Sequence, residues 1–368
     1  MLKGNQVDLL INGSDTFDSI FQAIDEAEDY ILVQFFIIRN DGTGDELKKR
    51  LVRKAEEGVK VYVLMDDIGC LDLDGNYVEE LKDAGIDARF FMDFSGKSNR
   101  FQLNFRNHRK IVVVDGKKAF IGGHNVGDEY LGKHPVHTPW RDTHVVLEGP
   151  IVKAIQIPFV EDWKWATDEL LEDLDWTIDL SEDFAGEMEA ICLASGPADP
   201  VPTCEMFFLS AINEAEKRIW ISSPYFVPDS AVVMALQLAA IRGVDVRVII
   251  PENSDSTLVQ LSSYSYFKSL EETGVQIYRY TQGFLHQKVM LVDEKIATVG
   301  SANFDNRSFN LNFEVTAIVS DAGFASEVES MLLEDFENSV EVDPDVLDGK
   351  SKWFNLKVQL ARMLAPIQ

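Results

Sequence analysis

Two histidines of this chain stand in nearly the same setting, His108 in NHRKIVVVDGKKAFIGGHN (107–125) and His286 in LHQKVMLVDEKIATVGSAN (285–303). Each is followed two residues later by a lysine, Lys110 or Lys288, then by an aliphatic run, an aspartate (Asp115 or Asp293), and a second short run that ends in small residues and an asparagine. In an extended strand alternate side chains share a face, so each imidazole points with its lysine while Arg109 and Gln287 point the other way. Asp115 and Asp293 stand at an odd offset from their histidines. They fall on the opposite face or past the strand end and are expected to support the scaffold rather than touch a substrate. Gly122 and Gly123 with Asn125, and Gly300 and Ser301 with Asn303, let the backbone approach a bulky anion closely and offer an amide donor to its oxygens.

Each half thus supplies one imidazole, one ammonium and one amide, and two such sets together suit a tetrahedral phosphodiester. A neutral histidine can attack phosphorus in line while the other, protonated, gives its proton to the departing alkoxide. That division of labour explains why the motif occurs twice. An alkoxide leaves poorly, so the acid is worth ~10²–10⁴-fold, and the lysines and asparagines stabilise charge on the equatorial oxygens. Water or an alcohol then resolves the phosphohistidine in a ping-pong reaction that needs neither metal nor cofactor. Zinc is the rival for paired histidines, but it wants three or four close ligands, and an ammonium two residues from each histidine repels a cation. A nucleophilic imidazole needs its other nitrogen held. Asp142 in WRDTH and Glu314 in LNFEV lie similar distances beyond their histidines and are the candidate orienting groups.

The elements that must position these groups repeat as well. AIDEAED (23–29) before YILVQFFI answers AINEAEK (211–217) before RIWISSPYFV, GVKVYVLMDD (58–67) answers GVDVRVIIPE (243–252), and LKDAGIDARFF (81–91) answers LEETGVQIYRY (270–280). The shared order is helix, strand, helix, strand, helix, short strand, histidine strand. The fold expected is α/β: two homologous halves, each a sheet with flanking helices, related by a pseudo-two-fold axis, with the site at their interface. The first spans 1–175 and the second 190–350, and the acidic stretch TDELLEDLDWTIDLSEDFAGEME (167–189) is expected to supply a helix and a linker.

With 34 basic and 62 acidic residues the formal charge is −28, which argues against a nucleic-acid coat and against a surface held to anionic lipid by net charge. An anionic substrate must therefore meet a locally positive pocket. No acid lies between Phe94 and Val114, where Lys97, Arg100, Arg106, Arg109 and Lys110 are all basic, and none lies between Thr273 and Val292. Cys70, Cys192 and Cys204 form no CxxC pair and read as buried small hydrophobes in a reducing compartment. No apolar run approaches the ~18 residues of a membrane span, and the first residues lack a signal-peptide core, so the chain reads as soluble or peripheral. In SKWFNLKVQLARMLAPIQ (351–368), Trp353, Leu356, Leu360, Met363, Leu364 and Ile367 recur at helical spacing among Lys352, Lys357 and Arg362, without an acid. This segment is expected to form an amphipathic C-terminal helix, either dipping into lipid or packed on the core.

The doubled HxKxxxxD, each copy followed six residues later by GG or GS and then Asn, resembles the phospholipase D superfamily, and the likeness covers almost the whole chain. The blocks WRDTHVVLEGP, SPYFVPD and GSANFDNRSFNLNFEV look like bacterial cardiolipin synthases of that type. The resemblance implies transfer of a phosphatidyl group from one phosphatidylglycerol to the terminal hydroxyl of another, with release of glycerol. It implies His108 as nucleophile, His286 as acid and base, and phosphate held by Lys110, Lys288, Asn125 and Asn303 together with Gly123 and Ser301. Asp115 and Asp293 complete the catalytic motifs, and Gly123 stands where many members carry serine. The implied partners are phosphatidylglycerol, other anionic phospholipids and a membrane surface, with no nucleic acid. The implied location is the bacterial inner membrane, reached peripherally or through anchoring segments absent from this chain. The rival functions are a phosphodiesterase of the same superfamily that hydrolyses phospholipid or nucleic acid, and a phospholipid-binding protein without catalysis.

Overall fold

The computed structural model describes residues 1–91, 105–178, 186–343, 345–347 and 349–368. Its first half runs β1 (Leu2–Ile11), α1 (Asn12–Glu26), β2 (Tyr30–Phe35), α2 (Gly42–Glu56), β3 (Lys60–Met65), α3 (Gly75–Asp83), β4 (Asp87–Phe90), β5 (Arg106–Asn107), β6 (Ile111–Val114), β7 (Lys118–Gly122), β8 (Trp140–Arg141), β9 (Thr143–Glu148) and α4 (Ile151–Thr167). The second begins with β10 (Met188–Ser195), α5 (Thr203–Glu214), β11 (Arg218–Ser222), β12 (Phe226–Val227), α6 (Ser230–Ile241), β13 (Asp245–Pro251), α7 (Thr257–Glu271) and β14 (Gln276–Tyr280). It continues with β15 (Phe284–Leu285), β16 (Val289–Val292), β17 (Ile296–Gly300), β18 (Phe304–Asp305), α8 (Asn306–Asn310), β19 (Asn312–Ser320), α9 (Ala322–Glu337), β20 (Ser339–Glu341) and α10 (Lys352–Arg362).

The halves match strand for strand. Outward from the middle, β1, β9, β7, β6, β2, β3 and β4 mirror β10, β19, β17, β16, β11, β13 and β14. The expectation of one sheet per half needs correction, because β1 and β10 pair antiparallel, Leu2 opposite Ala190 and Asn5 opposite Met188, and join both halves into one continuous sheet. Two strands that would each have presented an unpaired edge satisfy one another, and an antiparallel central pair is what a two-fold axis through the sheet requires. Helices α4 and α9 cover one face with a core that crosses the midline. On the other face α1 to α3 and α5 to α7 cover separate clusters. Strands β2 and β3 pair in parallel under helices on both sides, which is why YILVQF is buried at all six positions.

The histidine segments differ from the expected unbroken strand. His108, Arg109 and Lys110 lie between β5 and β6, and His286, Gln287 and Lys288 between β15 and β16. At each triplet the chain changes partners. Before it, β5 pairs with β19 and β15 with β8, each a parallel ladder to the opposite half; after it, β6 and β16 pair with β2 and β11 of their own half. The acidic stretch after α4 forms no helix from 168 to 178, and 179–185 lies outside the described residues, as do Lys97 and Arg100.

The motif aspartates hold the scaffold. Asp115 adopts φ 52° and accepts from the amides of Glu28 (2.9 Å), Asp29 (2.8 Å) and Tyr30 (2.9 Å) at the start of β2. Asp293, at φ 53°, accepts in the same way from Glu216, Lys217 and Arg218 before β11. Each sits past the end of the strand that leads away from its histidine. Replacing Asp115 by Ala strands three amides and puts in a left-handed turn a residue that tolerates it less well than Asp. A loss of ~2–4 kcal/mol is expected in urea unfolding, against a clearly smaller loss for Asp115→Asn.

Candidate active site

The two short parallel ladders decide the site. On one, Arg106 stands opposite Asn312 and Asn107 opposite Phe313, so the next step sets His108 against Glu314. On the other, Phe284 faces Trp140 and Leu285 faces Arg141, which sets His286 against Asp142. Both Glu314 carboxylate oxygens lie 3.0 Å from His108 Nδ1, and Asp142 Oδ2 lies 2.7 Å from His286 Nδ1. Counted along the chain, each acid follows the histidine of its own half; in space each serves the other.

A carboxylate can only accept, so the proton sits on Nδ1 and each Nε2 keeps its lone pair. Burial pushes both imidazoles down to about 4. Glu314 opposes this at His108 while Lys110 adds to it, and at His286 Lys288 adds to burial while Asp142 opposes. Both rings are thus neutral at pH 7. Burial works against ionised Asp142, but His124, His286 and Lys288 overcome it and hold the group well below the usual carboxylate range. Glu314 is likewise lowered, against burial, by His108 and Lys110.

The lysines stand behind the rings. Lys110 Nζ donates to the His108 carbonyl at 2.6 Å and is fully buried. Lys288 Nζ donates to the His286 carbonyl and lies within 3.1 Å of both ring nitrogens. Burial lowers Lys110 well below its ordinary value and brings Lys288 down to about 8. Their charge reaches the site from beneath the histidines rather than from its wall.

His108, His286, Asn125 and Asn303 line one cavity of about 780 Å³. Asn125 is held within the protein, its oxygen accepting from Ile37 N at 3.1 Å and its nitrogen donating to Tyr130 OH at 3.0 Å. Asn303 has a buried oxygen without a hydrogen-bond partner among the described residues. Gly123 and Ser301 are not among the described residues that line this cavity. A Cβ on Gly123 would come within 2.0 Å of Asp142 Oδ1, so glycine there makes room for the carboxylate. Ser301, at the matching position, donates to Glu314 Oε2 at 2.5 Å. Both act on the orienting acids.

Sequence reasoning missed the layer behind the triplets. Arg109 points away from the cavity and pairs with Asp162 of α4 at 2.7 Å, which also accepts from Gln34 and Asn107. Gln287 donates to Asp335 of α9 at 2.7 Å, and Arg141, beside Asp142, binds that same carboxylate through two nitrogens. The available signal was an acid on the apolar face of each helix, Asp162 beside Phe159 and Trp163, Asp335 near Met331 and Leu332. His124 and His144, 3.2 Å apart through their Nδ1 atoms and buried, adjoin the Asp142 side alone.

The model of the family described as cardiolipin synthase, PLD-like domain, matches residues 20–156 and again 208–336. Cardiolipin synthase A of Pseudomonas fluorescens is 51% identical over 368 residues, all of this chain and 76% of that protein. Cardiolipin synthase A of Pseudomonas putida is 50% identical over the same span, covering 75% of its length. Among solved structures, phosphatidylserine synthase of Haemophilus influenzae superposes with a TM-score of 0.75 at 13% identity, over 99% of this chain and 95% of that one, a likeness of fold.

The exchanged pairing has a spectroscopic signature. In ¹⁵N-edited spectra Glu314→Gln should move the Nδ1–H resonance of His108 and Asp142→Asn that of His286, each with a ~10²–10⁴-fold loss of turnover. The converse pattern would mean that each acid serves its own half.

Proposed function

The chain belongs to the cardiolipin synthase family of phospholipase D-like proteins, and we propose that its cleft joins two phosphatidylglycerol molecules into cardiolipin with release of glycerol. It is a phosphatidyltransferase. The observation that carries the mechanism is the pair of neutral imidazoles in one cavity, each with Nδ1 held by a carboxylate of the opposite half. The anionic phosphodiester brings negative charge to a site where burial disfavours imidazolium, and so favours protonation of one ring. The other attacks phosphorus through Nε2, the P–O bond to the headgroup glycerol breaks, and the protonated ring gives its proton to the leaving oxygen. The terminal hydroxyl of the second phosphatidylglycerol then attacks the phosphohistidine, its proton passing to the ring that served as acid. The two-fold geometry serves either order of the histidines. Mass spectrometry of phosphatidylglycerol vesicles incubated with the protein should show cardiolipin and glycerol in equal amounts. Phosphatidic acid alone would establish a hydrolase instead.

A membrane surface at the cavity mouth fits the same reading. Among the described residues no helix is long and apolar enough to cross a membrane. Helix α10 packs on α7 through Phe354, whose ring meets Tyr264 edge-on at 5.3 Å, and through Val358 and Ala361. Its opposite face leaves Trp353 74% and Met363 76% exposed, along with Leu356 and Leu360, beside Lys352 and Lys357. Ile367, just beyond, is half-exposed and also lines the cavity. This apolar, cationic face is read as the one that seats on anionic lipid at the bacterial inner membrane. Trp353→Ser and Leu360→Ser should each weaken co-sedimentation with phosphatidylglycerol vesicles about tenfold, and Trp353 emission should shift to the blue on binding. Unchanged sedimentation of the double variant would remove α10 from the membrane surface.

A further inference from the structure

The cleft is two-fold in backbone but not in side chains. Aligned by their histidines, asparagines and orienting acids, the halves set Arg106 against Phe284, Arg307 against Glu129 and Asn312 against Trp140. On the flank of His286 these positions are aromatic or acidic. Trp140 meets Phe284 and His286 at tilted angles, with ring centroids 4.8 Å and 5.2 Å away, and Glu129 pairs with Arg39 at 3.2 Å. On the flank of His108 they are cationic and polar.

There Arg106 lies opposite Asn312 on the β5–β19 ladder, and Arg307 Nε donates to Asn312 Oδ1 at 3.3 Å. Asn312 Nδ2 in turn donates at 3.1 Å to Glu314, the acid that holds His108. Arg106, Arg307 and Asn312 all line the cavity. Arg106 makes no ion pair among the described residues; its Nη1 donates to the carbonyl of Phe105 at 2.6 Å. Two of the neighbouring acids, Asp66 and Asp305, hold backbone amides. Asp66 accepts from the amides of Ile68, Gly69 and Asn107, and Asp305 caps α8 through Ser308 N at 2.7 Å. Burial lowers Arg106, Asp66 and Asp67 act against that, and the charge of Arg307 adds to it. Two guanidiniums that repel each other across a half-buried wall are stabilised when an anion joins them.

We propose that Arg106 and Arg307, linked by Asn312, form a subsite for the phosphodiester of the second phospholipid. The inference rests on the transferase reading and gives it a chemical requirement. Water as acceptor carries no charge, whereas a phosphatidylglycerol acceptor carries its own phosphate on the glycerol whose far hydroxyl attacks. Joining two such lipids needs a second anion site beside the reacting phosphorus, and the cationic flank of the same cavity offers the charge for it.

The test compares two soluble acceptors with phosphatidylglycerol as donor: labelled glycerol, which is neutral, and glycerophosphoglycerol, which bears the acceptor phosphate without acyl chains. The native protein should favour glycerophosphoglycerol. Arg307→Glu and Arg106→Phe, each installing the residue found on the opposite flank, should raise the KM for glycerophosphoglycerol. Each should also lower the ratio of transfer to it over transfer to glycerol by about tenfold or more, and Arg307→Lys should restore most of that ratio. An unchanged ratio, whether both activities fall together or neither does, overturns the subsite. Absence of transfer to either acceptor by the native protein, with phosphatidic acid formed instead, overturns the transferase reading itself.

Discussion

The contact on which this site depends is the carboxylate–imidazole pair made across the pseudo-two-fold axis. Neither half can build a working histidine alone, because the group that fixes its tautomer arrives on a strand of the other. The short parallel ladders β5–β19 and β8–β15 are the means of exchange, and their register decides which acid meets which ring. The central pairing of β1 with β10 holds the halves at the spacing those ladders need. A break in the histidine strands is a consequence: the chain must leave one partner for another where its chemistry sits.

Burying so many ionisable groups in one place is tolerable only because each meets a partner. Arg109 with Asp162, and Arg141 with Asp335 and Gln287, form two buried networks behind the histidines. They anchor the middle residue of each triplet, or its neighbour, to the helices that cover the sheet. Removing one member leaves an uncompensated charge, which costs far more than the intact pair contributes. The same burial keeps both imidazoles neutral, so packing and proton chemistry have a common physical cause.

The twin motifs carry unequal surroundings. Ser301 steadies Glu314 where Gly123 yields space to Asp142, and the His124–His144 pair adjoins one orienting acid alone. Around the cavity, arginines on one flank answer aromatics and an acid on the other. A reaction between two like lipids still has a donor and an acceptor, and a symmetric scaffold can tell them apart only through such substitutions.

The residue types and spacing of the two motifs, by themselves, determined the repeat, the α/β character of each half and the phosphodiester chemistry of paired imidazoles, since those follow from strand periodicity and side-chain reactivity. The offset of Asp115 and Asp293 already placed them off the histidine face or past the strand end, because parity along a strand is a local property. Only the tertiary structure decided that one sheet runs through both halves, that Glu314 serves His108 and Asp142 serves His286, and that Gly123 and Ser301 lie against those acids. It also decided that the hydrophobic stripe of α10 faces outward while its smaller side meets α7. These are matters of register and of contacts between residues far apart in the chain, and local periodicity carries no record of which strand will lie beside which.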